Sequence, residues 1–210
     1  MHLIIAPSGF DMDYASCVIS NLSRYIPDKV VIVDNVIDAT KMLQSGEVTD
    51  LYAIGHGIDC AVFNDGLLPL FMINTGEERV ITGSFKTKCA LDINLHLVKG
   101  VGVHLLACNT GKELAPALLQ WGARYVIAYR DDFIAAKSLY RLPKPCSRNS
   151  PFWDVWTPSI VDFELHLSVV YGGDYFDRYL SQLNNYPNVP IREKILDVVR
   201  QNLSNVVILH

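Results

Sequence analysis

The chain has 210 residues, half of them apolar and 19% charged, and a mean hydropathy of +0.20. That is the material of one globular domain spanning residues 1–210, and it excludes intrinsic disorder. Eighteen basic against 22 acidic residues give a net charge of −4, and no two Lys or Arg residues are adjacent. A phosphate-backbone partner has no electrostatic footprint here, so nucleic acid is set aside. The longest apolar runs, such as Val101–Ala107, fall far short of a bilayer span, which sets the membrane aside. Met1–Ala6 breaks at Pro7-Ser8-Gly9 and turns acidic at Asp11 and Asp13, the reverse of an export signal, so a cytoplasmic protein is expected. The five cysteines are scattered, with neither a CxxC pair nor a Cys-His cluster at zinc spacing. Free thiols, no metal and no cofactor are therefore expected.

In chain order, short β-branched runs alternate with stretches of helical period, the pattern of an α/β fold with a mostly parallel sheet of about six strands. Strands are predicted at His2–Ala6, Lys29–Val33, Asp50–Gly55, Val101–Ala107, Arg124–Tyr129 and Val206–Leu209. Helices are predicted at Tyr14–Tyr25, Ala39–Gln44, Phe85–Val98, Thr110–Trp121, Phe163–Val170, Tyr175–Leu183 and Arg192–Asn202. Turn signals at Asn64-Asp65-Gly66 and Asn74-Thr75-Gly76 suggest a hairpin excursion over Ile58–Ser84. Leu142–Pro158, with four prolines and two tryptophans, has no period and reads as a long loop.

Two strand-then-loop segments could carry chemistry: Gly55-His56-Gly57 and Ala107-Cys108-Asn109-Thr110-Gly111. Ligands in open α/β sheets bind beyond the carboxyl ends of the strands, so His56 and Cys108 should face one crevice. Thr110 and Glu113 fit a capping box, which would start a helix directly after Cys108 and aim its amides at the thiol. A helix N-terminus and an imidazole both favour thiolate, the nucleophilic form. Gly57 would let its N–H approach a substrate carbonyl and form an oxyanion hole with the Cys108 N–H. Cys60 is a weaker nucleophile candidate, with a packing or hairpin role as its default, and His104 reads as a hydrogen-bonded core histidine.

Cys108 follows His56 by about 50 residues, as in the caspase signature. Gly55-His56-Gly57 at a strand end resembles the His-Gly motif of the caspase-like cysteine peptidases. Ala107-Cys108-Asn109-Thr110-Gly111, then Gly122-Ala123-Arg124-Tyr125-Val126 and Asp131, is similar to the pattern of CHAT domains within that group. The similarity runs from about Asp50 to Asp132. It implies a caspase-like three-layer sandwich with helices on both faces, and a cysteine endopeptidase working on a protein or peptide substrate without a cofactor. His56 and Cys108 would form the dyad, and a separately encoded regulatory partner could control it. Leu106 before the Ala and Asn109-Thr110 after the Cys depart from the caspase pattern and argue against specificity for aspartate. Asp11 and Asp13 in the loop after the first strand, with Asp131 and Asp132 after the fifth, could instead receive a basic P1 side chain, although Asp11 or Asp13 could equally cap the first helix. Two other classes stay open: a catalytically idle caspase-like interaction module, and a plain α/β ligand-binding domain in which Cys108 is incidental.

Overall fold

A computed structural model describes residues 1–5, 23, 26–63, 68–82, 85–133, 157–173, 177, 181, 184 and 189–210. Four short apolar runs form its centre: β1 (His2–Ile5), β3 (Asp50–Ile54), β9 (Gly102–Leu106) and β10 (Tyr125–Tyr129) are buried at every residue. Strands covered on both faces are largely apolar rather than alternating, with only His2 and Asp50 at strand starts and His104 inside β9 as polar exceptions, which is why they read so clearly in the sequence. With β2 (Val30–Val33) and β11 (Val206–Leu209) they make a six-stranded sheet in the order β11-β10-β9-β3-β1-β2. All neighbours are parallel except β11, which pairs antiparallel with β10. The fold is mixed α/β.

Side chains alternate across a strand, so each strand feeds two cores. Leu3, Ile5, Leu51, Ala53, Val103, Leu105, Val126 and Ala128 meet α1 (Val36–Gln44) through Val36, Ala39 and Leu43, and α2 (Leu114–Gln120) through Leu114, Ala115 and Leu118. The intervening Ile4, Tyr52, Ile54, Leu106 and Tyr129 meet Phe163 and Leu167 of α3 (Thr157–Tyr171). Here α3 brings a carboxylate into the core. Asp162 accepts the Tyr52 hydroxyl on one oxygen and lies 3.0 Å from His104 Nε2 on the other, all three being buried. His104 is thus the hydrogen-bonded core residue expected. The final helix, α4 (Val189–Asn205), packs on α3 and runs directly into β11.

Several helices are longer than their periodicity suggests. α1 starts at Val36 because Asn35 accepts the Asp38 N–H at 2.9 Å as its N-cap. α3 starts at Thr157, and Gly172 and Gly173, both at positive φ, follow its end. The helices expected over Tyr14–Tyr25 and Tyr175–Leu183 and the loop expected over Leu142–Pro158 lie outside the described residues, isolated positions apart, except that Thr157 and Pro158 at the end of that loop already belong to α3.

The excursion between β3 and β9 is richer than one hairpin. β4 (His56–Ile58), β5 (Ala61–Phe63) and β6 (Pro69–Met72) form an antiparallel sheet, and β7 (Glu78–Thr82) pairs with β8 (Phe85–Lys88). The crossover helix expected over Phe85–Val98 is therefore absent. Its first four residues are committed to β8, and left-handed Asn94 (φ 57°) limits the helical part to a single turn at Leu95–Val98. Cys60 and Cys89 form a disulfide inside this excursion, correcting the expectation of free thiols. Backbone bonds from Ile73 N–H to Cys60 O and from Cys89 N–H to Glu77 O bring the two Cα atoms to 6.5 Å, within bridging distance. Lasting disulfides belong to oxidising compartments, so the bridge is at odds with the free thiols expected of a chain in a reducing cytoplasm. Among the described residues no helix is long and apolar enough to cross a membrane.

Candidate active site

β3 and β9 are adjacent and parallel, with Ile54 opposite Leu106, and the Gly55 N–H extends the pairing by donating to Leu106 O at 3.2 Å. Their carboxyl ends therefore deliver Gly55-His56-Gly57 and Ala107-Cys108 side by side. Contact is made at Gly57. A Cβ there would lie 2.0 Å from Cys108 O and 2.9 Å from Cys108 N, so β4 rests its backbone directly on the backbone of Cys108. His56, the residue before this contact, is half-buried at the start of β4, opposite Phe63 of β5.

The thiol meets the segment that leaves β10. Cys108 Sγ accepts the Phe133 N–H at 3.3 Å and lies 3.8 Å from Phe133 O. Burial pushes the Cys108 thiol above its ordinary value; the Phe133 N–H opposes that shift, and the Asp132 carboxylate adds to it. That direction runs against the thiolate that a helix N-terminus and an imidazole would favour. The capping box is not formed either. The Thr110 hydroxyl is buried and donates to Ala107 O at 3.1 Å, while Glu113 makes no side-chain cap and lies 3.7 Å from Arg79. Turns occupy the chain from Cys108 to Glu113, because Asn109 adopts a left-handed φ of 59° and the Gly111 N–H is drawn to Tyr129 O at 2.7 Å. Helix α2 begins only at Leu114, too far along to aim its first amides at Cys108.

Asn109 is where several of these bonds converge. Its backbone N–H donates to Asp131 O at 3.1 Å and its Nδ2 to Asp132 Oδ1 at 3.1 Å, while its Oδ1 accepts from Lys112 Nζ at 2.9 Å. Lys112 also lies 3.6 Å from Asp59, in the turn after β4, and 3.8 Å from Asp131. Asp131 and Asp132, with Asn109, Gln201, Ser204 and Asn205, line an open polar cleft of about 570 Å³. The structure thus brings His56, Gly57, Cys108, Asp131 and Asp132 to one end of the sheet. Asp11 and Asp13 lie outside the described residues, and Cys60 is held in its disulfide. Sequence reasoning did not single out Asn109, Lys112 or Phe133. Only the tolerance of asparagine for left-handed backbone could have marked the first of them.

Among the described residues no group of His, Cys, Asp and Glu is placed to hold a metal ion. No protein family, curated protein or solved structure matches the chain.

Proposed function

We propose that the chain is a cysteine endopeptidase of caspase-like, CHAT-related architecture, three-layered with helices on both faces of its sheet. The observation that carries this reading is the close approach of Gly57 to Cys108, which puts the residue after His56 on the backbone of the only free cysteine among the described residues. In this reading Cys108 gives its proton to His56 and attacks the scissile carbonyl, and the N–H groups of Gly57 and Cys108 hold the oxyanion. His56 protonates the departing amine as the thioester forms, then takes a proton from water so that hydroxide releases the acid and the thiol. A thiol pushed above its ordinary pKa by burial leaves the base with more to do. The carboxylates of Asp131 and Asp132 in the neighbouring cleft suit an Arg or Lys P1 side chain.

A second reading, the catalytically idle interaction module, is favoured by the surroundings of Cys108: burial and the nearby Asp132 carboxylate both oppose its ionisation. The two readings separate on turnover of a fluorogenic peptide library and labelling by a peptidyl acyloxymethyl ketone. The peptidase reading expects cleavage after Arg or Lys, none in Cys108→Ala, and a loss of at least about 100-fold in His56→Ala. Equal cleavage by Cys108→Ala removes that reading, and a parent chain that neither cleaves nor labels is the idle module.

A further inference from the structure

We infer that Asn109 is a positioning residue that clamps the segment leaving β10 across Cys108, so that the Phe133 N–H is held on the reactive sulfur. This rests on the reading of Cys108 as nucleophile and concerns how that nucleophile is controlled.

Residues 131–133 follow the end of β10 and touch the Cys108 turn at three successive positions. The Asp131 carbonyl takes the Asn109 N–H at 3.1 Å, and the Asp132 carboxylate takes the Asn109 side-chain amide at 3.1 Å. The Phe133 N–H then reaches Cys108 Sγ at 3.3 Å. Lys112 holds the other end of the Asn109 amide at 2.9 Å and so fixes which way it faces. The left-handed backbone at Asn109 lets both its N–H and its side chain turn toward one strand exit. A donor on sulfur stabilises thiolate more than thiol, so the clamp sets how readily Cys108 ionises. Asp132 acts in both directions, since the carboxylate that anchors the clamp also opposes a negative sulfur. Reactivity at Cys108 is thereby tied to the path of the chain after β10: a partner or substrate that shifts Asp132 changes both influences at once.

The test is the pH dependence of Cys108 alkylation by iodoacetamide, followed at that residue by peptide mapping on the full chain. Asn109→Gly is the informative variant, because glycine keeps the left-handed backbone without strain and removes only the side chain. It should slow alkylation at pH 7 about tenfold by moving the profile to higher pH. Asn109→Asp, which sets two carboxylates against each other, should slow it at least as much. Combining Asn109→Asp with Asp132→Asn exchanges donor and acceptor while keeping the pair's charge and the Lys112 contact, and should return the rate to within about threefold of the parent. A parent-like profile for Asn109→Gly, or a double variant slower than Asn109→Asp alone, overturns the clamp. Because alkylation needs no substrate, a parent that cleaves no peptide removes the peptidase reading and leaves the clamp standing. A cleaving parent with an unshifted Asn109→Gly profile removes the clamp alone.

Discussion

A methyl group at position 57 would sit 2.0 Å from the Cys108 carbonyl oxygen and 2.8 Å from Thr110 Cγ2, distances that no rearrangement of a flexible side chain can relieve. Gly57→Ala must therefore push β4 off the Cys108 turn. Overpacking of this kind costs about 1–3 kcal/mol, read as a lowered urea midpoint. Because the displaced strand begins at His56, turnover should fall by more than that loss of stability explains. A Gly57→Ala chain with parent-like stability and turnover would show that the two backbones are not pressed together. That His56 and Cys108 come to the same end of the sheet was legible in the sequence because both follow closely on the ends of β3 and β9, and the strand ends of a parallel sheet open on one side. The Asn109 clamp was not legible. It depends on where the chain goes after Tyr129, which no local pattern records, and the Thr110-to-Glu113 spacing points instead to a cap that the buried Thr110 hydroxyl is not free to make.

The β4–β8 excursion is held by a small cluster of its own, in which Ile58, Cys60, Ala61, Phe63, Met72 and Cys89 are buried together. Its disulfide spans a sequence separation of 29 residues, for which chain entropy gives about 3.5 kcal/mol of stabilisation. Replacing Cys60 and Cys89 together by alanine should lower unfolding stability by about 2–4 kcal/mol, and a reductant should then have no further effect. A double variant as stable as the oxidised parent would show that the bridge adds nothing. The central strands of the main sheet were readable because burial on both faces leaves a largely apolar run, broken within β9 only by His104. The excursion was not, because Phe85 to Val98 spaces its apolar residues as a helix would. Pairing of Phe85–Lys88 with β7, the bridge at Cys89 and the left-handed turn at Asn94 override that spacing. A disulfide between Cys60 and Cys89 is equally invisible to spacing arguments, since it follows from the fold of the excursion.

Across the whole molecule, acid should act first through the layer beneath α3. His166 is buried with its ring centroid 5.4 Å from His104, 6.3 Å from His2 and 5.2 Å from Tyr52. Burial, then the neighbouring His104 and His2, hold its pKa well below the ordinary value, so the folded chain keeps it neutral. The unfolded chain takes up that proton near pH 6.5, and stability therefore falls as pH drops below about 6.5, by up to about 1.4 kcal/mol per pH unit for this one group. Urea midpoints at pH 7.5 and 5.5 should differ less in His166→Leu than in the parent; equal differences would place the acid sensitivity elsewhere. The Asp162 carboxylate in the same layer bears on the pairing of the central strands. Its two partners lie 110 and 58 residues away along the chain, and closing loops of such lengths costs on the order of 4 kcal/mol each. Both bonds exist together only where Tyr52 and His104 stand on neighbouring strands, so the carboxylate is fully partnered only over a sheet in which β3 and β9 are paired. One α3 side chain thereby reports on the register of two central strands.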